Sequence, residues 1–336
     1  MRRGNIQGDG NVSVIRTCRA EVGFEPPITA VVLTCNEEKN IVHCLESIAA
    51  LPRVFVVDSG STDATLEICK AHGATVVHHP YSNHASQWQW SLQNLAVETP
   101  WVLAIDADFV VTPQLLERIQ RELPRIPEAV AGIYVRHLYH FGGGLIRFGG
   151  TKRFWMRIVR RDRVCADMGD LVDFRFVVEG RVTRWREPLI EYNRNDDDIS
   201  VWTAKQDKFA LRLAVEEELR RRGLHGWSGQ ARLLGNTDER FSWLRDRWLG
   251  LPLFIRPVIY FLYRYVLAGG FLDGRAGFLY HMLQGLWLRL LVDWKTLELR
   301  ELALDDARLK TYARTMLETR SGSVNQVADR QTSLEA

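Results

Sequence analysis

The 336-residue chain contains no stretch of the roughly 18 to 20 apolar residues needed to span a bilayer. In its most apolar part, near the C-terminus, the longest uncharged run is Ala276–Leu288, 13 residues. It has no C-x-x-C pair among its five cysteines, Cys18, Cys35, Cys44, Cys69 and Cys165. With an odd count and no secretory leader ahead of them, the expectation is reduced thiols in a cytoplasmic protein, each serving as a small buried hydrophobe. The chain also lacks an excess of either charge. Its 44 Lys and Arg against 41 Asp and Glu leave a net +3, and no recognition motif for DNA or RNA occurs, which argues against a nucleic-acid partner. No internal repeat is present. What remains is an ordinary globular composition, 46% apolar and 25% charged, long enough for about two domains or one large domain with an appendage.

Three segments in the first 110 residues carry most of the information. They are Val31-Val32-Leu33-Thr34-Cys35-Asn36-Glu37-Glu38, Val56-Val57-Asp58-Ser59-Gly60-Ser61-Thr62-Asp63 and Val102-Leu103-Ala104-Ile105-Asp106-Ala107-Asp108. Each is an apolar run ending in carboxylates and small polar residues. Strands and helices alternate from Ile28 to about Leu123, as in a parallel α/β sheet. Asn36 is expected to cap a helix bearing Ile41, Leu45 and Ile48, and Thr112-Pro113 opens another. Ligands of such sheets bind beyond the carboxyl ends of the strands. Three acidic strand ends in succession therefore predict one site for a cation and a phosphorylated ligand. The Asp106-x-Asp108 pair suits Mg²⁺ or Mn²⁺, which take one or two carboxylates and fill the remaining places with phosphate oxygens and water. Asp58 is placed to accept hydrogen bonds from a base or ribose, and Glu37 to reach the same nucleotide. Asp63 and Glu38 read as helix-start charges, and Trp88 as core.

These segments, VVLTCNEEKNI, VVDSGSTDAT and AIDADF, resemble the family 2 glycosyltransferases of the glycosyltransferase-A fold, in the branch of lipopolysaccharide-core and exopolysaccharide glucosyltransferases. The likeness is strong over about residues 28 to 115, weaker to about 210, and general beyond. It implies a mixed, mostly parallel sheet with flanking helices, a nucleotide-sugar donor (usually a UDP-sugar), a divalent metal and inversion at the anomeric carbon. Carried onto this chain, it implies that Thr34, Asn36, Glu37 and Asp58 line the nucleoside pocket. Asp106 would touch ribose and metal, and Asp108 would be the principal metal ligand. Ser59 departs from the second Asp that many relatives carry.

Inverting transfer needs a general base downstream of the D-x-D pair. Three carboxylate groups compete: Asp173, at an acidic position before a strand; the Asp196-Asp197-Asp198 loop before Ile199-Ser200-Val201-Trp202; and Glu191. Asp198 or Ser200 also reads as the cap of the following helix. Basic residues Arg147, Lys152, Arg153, Arg157, Arg160 and Arg161 offer contacts to a diphosphate or a phosphorylated acceptor, and Lys205 lies near the rim. The run Arg212–Gly223, with Glu216, Glu217 and Glu218, resembles the acidic helix of a Nudix pyrophosphohydrolase. It lacks the upstream glycine and glutamate of that box and reads as a solvated amphipathic helix.

The expected organisation is a flexible tail over residues 1–27, a catalytic domain over 28–238, an apolar, aromatic helical region over 239–318, and a second tail over 319–336. In the helical region Leu279, Leu283, Leu286 and Leu290 recur at helical spacing, arginines interrupt it, and residues 269–275 read as a turn. Such helices can lie in a headgroup layer, here expected on the cytoplasmic face of the membrane with arginines meeting anionic lipid; the alternative is a helical hairpin packed on the catalytic domain, or an oligomer contact. The acceptor is then a saccharide or a lipid-linked saccharide. Two rivals stand beside this reading. A nucleotidyltransferase would carry a Gly-rich basic loop after the first strand, and a non-catalytic scaffold of a polysaccharide-assembly complex would turn over no donor.

Overall fold

The computed structural model of the chain describes residues 26–150, 153–167, 174–224, 231–235 and 237–318. It opens with β1 (Ile28–Thr34), α1 (Ile41–Ser47), β2 (Arg53–Asp58), α2 (Thr65–Ala71), β3 (Thr75–His78), α3 (His84–Asn94) and β4 (Trp101–Asp106). All seven residues of β1 are buried, which is why it reads as an uninterrupted apolar run rather than an alternating one. These four strands are parallel, in the order β3-β2-β1-β4. Their register sets Thr34 against Asp58, Asp58 against His78, and Leu33 against Asp106. The polar strand ends thus share one edge.

The chain then turns through β5 (Phe109–Val111) into α4 (Pro113–Glu122), whose start is capped by Thr112 Oγ1 accepting from the Leu115 amide. There follow β6 (Val130–Phe141), β7 (Gly144–Ile146), β8 (Arg153–Arg160), β9 (Val164–Asp167), β10 (Arg175–Val178) and β11 (Arg181–Glu191). They extend the sheet as β4-β8-β6-β11-β5, with β7 on β6, while β9 and β10 form a separate ribbon. β8 runs antiparallel to β4 and β6, and β11 is parallel to β6 but antiparallel to β5. The fold is therefore α/β with a mixed sheet, wholly parallel across β3-β2-β1-β4. Ile41, Leu45, Leu115 and Ile119 close one face. On the other, Trp88, fully buried, packs with Val31, Val57 and Val102. Burying such a side chain contributes roughly 1.5–3 kcal/mol or more.

Helices α5 (Ile199–Arg221), α6 (Thr237–Leu249), α7 (Ile255–Leu262), α8 (Gly274–Tyr280), α9 (Leu288–Glu301) and α10 (Asp306–Glu318) complete the chain. π-helical turns at Tyr263–Leu267 and His281–Trp287 extend α7 and join α8 to α9. α5 links the two parts: Val215 and Leu219 pack with Leu299 and Leu309, Ala210 and Ala214 with Leu288 and Val292. Trp202 meets Phe141 and Ile146 at its other end. Among the described residues no helix is long and apolar enough to cross a membrane.

Three expectations need correction. Glu216, Glu217 and Glu218 are buried rather than solvated. Glu216 pairs with Arg245, Glu217 with Arg256 at 2.7 Å, and Glu218 accepts from Arg221, Arg222 and Arg300. Arg221 and Arg222 on the same helix, with Arg245, Arg256 and Arg300 from distant positions, pay for that burial, since a buried charge needs a hydrogen-bonded partner. Asn36 does not cap α1, whose cap position is Asn40; it adopts φ 56° and binds the second strand's loop instead. Cys44 and Cys69 are buried, but Cys35 and Cys165 are exposed; Cys18 lies outside the described residues.

Candidate active site

The carboxyl edge opens into a cleft of about 1090 Å³, with Thr34, Glu37, Asp106, Asp108, Glu191 and Lys205 among its lining residues. Each acidic side chain arrives by a different route. Asp106 ends β4. One carboxylate oxygen lies 3.1 Å from His84 Nε2, at the start of α3, and the other lies 3.4 Å from Arg157 Nη2 on β8. Arg157 is 1% exposed. Its guanidinium sits within 4.9–5.0 Å of the ring centres of Phe109, Trp155 and Phe174. Burial alone would raise the Asp106 carboxyl, but His84 and Arg157 hold it below its ordinary value.

Asp108, in the turn between β4 and β5, has the opposite environment. Burial first, and then the charges of Glu191, Asp106 and Glu37, push its carboxyl well above the ordinary range. Its side-chain contact is a 3.3 Å hydrogen bond from Asn193 Nδ2. Glu191 is brought beside it by the antiparallel pairing of Glu191 with Phe109, and the Tyr192 amide donates to the Asp108 carbonyl at 2.8 Å. Glu191 Oε2 lies 2.8 Å from His137 Nε2, whose ring stacks on Trp155 at 4.3 Å. Glu37 is held by Asn40 Nδ2 at 2.6 Å, and burial raises its carboxyl despite that bond.

The segment leaving β11 straps these groups together. Asn193 Oδ1 accepts from Asn40 Nδ2 at 3.1 Å, and Asn40 Oδ1 accepts from the Arg194 amide at 2.8 Å. Asn195 Nδ2 reaches Glu37 at 3.4 Å. Asp196 pairs with Lys205 Nζ at 3.2 Å and accepts from Tyr139 Oη at 3.5 Å. Burial raises the Asp196 carboxyl, an effect its lysine opposes.

The residues expected to act are therefore distributed unevenly. Thr34, Glu37, Asp106, Asp108 and Glu191 share the cleft wall. Thr34 is buried, and its hydroxyl has no hydrogen-bond partner among the described residues. Asn36 and Asp58 stand behind the wall and build its loop. Asp58 accepts from the Gly60 and Ser61 amides at 2.8 and 3.0 Å and from Ser61 Oγ at 2.5 Å. Asn36 Oδ1 accepts from the Thr62 amide at 2.8 Å. Ser59 lines the cleft and takes a hydrogen bond from Gln87 Nε2 at 3.1 Å. Asp197 is exposed and does not line the cleft, and Asp198 caps α5 through the Ser200 amide at 2.8 Å. Asp173 lies outside the described residues, immediately before Phe174, which does line the cleft. His84, His137, Asn40 and Asn193 had no local sequence signal; only their distant partners mark them.

Asp108, with Asp106 beside it, offers the carboxylate oxygens that could hold a hard divalent cation. The ionised form of Asp108 is disfavoured by burial and then by its acidic neighbours, an effect that a bound cation would oppose. Among the described residues, no three His, Cys, Asp or Glu side chains are placed to hold a metal together. An ion on Asp108 and Asp106 would complete its shell with ligand oxygens and water.

Residues 29–163 match the family described as Glycosyl transferase family 2. The lipopolysaccharide core biosynthesis glycosyltransferase LpsC of Rhizobium meliloti is 29% identical over 161 residues, which are 46% of this chain and 59% of LpsC. An uncharacterized glycosyltransferase of Mycobacterium tuberculosis is 38% identical over 103 residues, 30% of this chain and 46% of that protein. The chain thus spans about half the length of these curated relatives. Glucosyl-3-phosphoglycerate synthase of M. tuberculosis, solved with Mn²⁺, UDP and glucosyl-3-phosphoglycerate, is 26% identical over 34% of this chain and 44% of its own. Its TM-score of 0.26 is too low for that likeness to bear on fold or ligand.

Proposed function

From the match of residues 29–163 to the glycosyl transferase family 2 model, we propose that the protein moves a sugar from a nucleotide-sugar donor, most simply a UDP-sugar, to a saccharide or lipid-linked hydroxyl with inversion. The observation that supports this most is the meeting of Glu37, Asp106 and Asp108 on one cleft at the carboxyl edge of parallel strands. Nucleotides bind at such an edge. Thr34 and Glu37 would face the nucleoside, with Asn36 and Asp58 shaping the loop beneath it. Asp108, helped by Asp106, would hold Mg²⁺ or Mn²⁺. That ion, when bound, would supply positive charge beside the diphosphate. His84 and Arg157 keep Asp106 ionised and fixed in direction.

The acceptor hydroxyl must lose its proton as it attacks the anomeric carbon. Glu191 stands on the cleft wall, oriented by His137. Asp173 precedes the cleft residue Phe174 and shares the candidacy. Asp197, exposed and off the wall, is the weakest of the three. Exposed apolar side chains also support a peripheral place on a membrane surface, which the nucleotide-sugar reading would put on the cytoplasmic side. Ile255, Ile259, Leu262, Val266, Leu267 and Leu272 are exposed on the C-terminal helices and turns, and the exposed Arg275 follows them in sequence. Lipid-linked acceptors would be met there, consistent with a role in cell-envelope polysaccharide synthesis. The test is donor turnover: incubation with UDP-sugars and Mn²⁺ should release UDP, faster with an added acceptor. Failure of every UDP-, GDP- and dTDP-sugar would reject the proposal.

A further inference from the structure

Four arginines and two histidines besides Lys205 line the cleft, and each is already committed or distant; His78 Nδ1 lies 3.6 Å from Asp58. Arg157 is fixed between Asp106 and three aromatic rings, and His84 is paired with Asp106. Arg175 donates to Ser242 at 2.9 Å and Arg184 to Thr237 at 2.7 Å, both toward α6. Arg240 lies on α6 and is exposed. Lys205 differs. It stands on the second turn of α5, with its side chain 52% exposed, and it pairs with Asp196 at 3.2 Å. The strap that carries Asp196 also contacts Asp108 through Asn193 and Glu37 through Asn195. Lys205 is thereby held on the same wall as the proposed metal ligand. Asp196, followed by Asp108, raises the lysine against the opposing effect of burial, so the ammonium stays charged.

We infer that Lys205 is a catalytic residue that leaves Asp196 to contact the β-phosphate of the donor and stabilises the departing diphosphate. This assignment rests on the donor reading given above. In the transfer step the bond from the anomeric carbon to the β-phosphate oxygen breaks, and its electron pair stays on that oxygen. The acceptor oxygen bonds to the anomeric carbon, and its proton passes to the base carboxylate. Lys205 keeps its own proton and supplies charge. A lysine suits an exchange of partners because its ammonium is a point charge on a flexible four-carbon stem. Asp196 is not stranded when the lysine leaves, since Tyr139 Oη still donates to it.

The test compares UDP with UMP, which lacks the β-phosphate, by calorimetry in Mn²⁺. The chains are the wild type, Lys205→Ala, Lys205→Arg and Asp196→Asn. Lys205→Ala should weaken UDP by about tenfold or more, the scale of a lost charge-assisted contact, and leave UMP within about twofold. Lys205→Arg should recover most of the UDP affinity, and Asp196→Asn should keep it. Equal weakening of UDP and UMP would mean that Lys205 only supports the strap, and the assignment would be wrong. So would unchanged UDP binding in Lys205→Ala alongside wild-type binding that still needs Asp108. A wild type that binds no UDP would overturn the donor reading itself, and this assignment with it.

Discussion

His281 gives the sharpest test of how the C-terminal helices are built. It is fully buried in the π-helical turn between α8 and α9, and neither ring nitrogen has a hydrogen-bond partner among the described residues. Tyr265 and Tyr280 lie against its ring. A Cβ on Gly149 or Gly270 would fall within 2.1 or 2.4 Å of the imidazole, so both positions must lack one. Burial, and then the charge of Arg264, lower its pKa from 6.5 to about 4. The buried imidazole is therefore neutral, and protonation opposes folding. The stability it contributes is complete above pH 6.5 and is lost as the pH falls toward 4. A depression of this size corresponds to a contribution on the order of 3 kcal/mol. Urea unfolding of the wild type and of His281→Gln should be followed by tryptophan fluorescence at steps from pH 7.5 to 4. The variant has its own packing cost, but its stability should fall less steeply between pH 6.5 and 4. Parallel curves for the two chains would refute the reasoning, because carboxylates that titrate in the same range are common to both.

Other consequences can be checked alongside. Arg256→Ala should destabilise by about 3–5 kcal/mol, because it leaves Asp293 and Glu217 buried without their shared cation; a loss under 1 kcal/mol in urea unfolding would contradict the buried network. Glu191→Gln and Asp173→Asn should each bind UDP as the wild type does. The one that removes the base should slow transfer by about 10²-fold or more, and full activity in both would require another base. Vesicles with anionic lipid should sediment the chain, and Ile259→Glu with Leu262→Glu should release it; equal sedimentation of the double variant would place the lipid contact elsewhere.

Much of the parallel N-terminal half was legible because its signals are local. β1, β2 and β4 are continuous apolar runs, and each stops at the polar residue that the sheet presents at its edge. The long-range half was not. Glu191 reaches Asp108 through the antiparallel pairing of β11 with β5, a strand of three residues, and periodicity cannot reveal such a pairing. The 85-residue separation between Asn193 and Asp108 hides their hydrogen bond in the same way. Glu216–Glu218 read as solvated because a helical charge run shows its own spacing but not the arginines brought to it from Arg245, Arg256 and Arg300. Asn36 read as a helix cap because Asn also tolerates the left-handed conformation it actually adopts.

The measurement closest to the central claim is calorimetric titration of UDP with and without Mn²⁺, on the wild type and on Asp108→Ala. Burial, and then the charges of Glu191, Asp106 and Glu37, disfavour the ionised form of Asp108, an opposition that a bound cation would offset. The account predicts tight UDP binding only when both Mn²⁺ and Asp108 are present. Binding that is equally strong without either would contradict the metal site, and no UDP binding under any condition would contradict the donor.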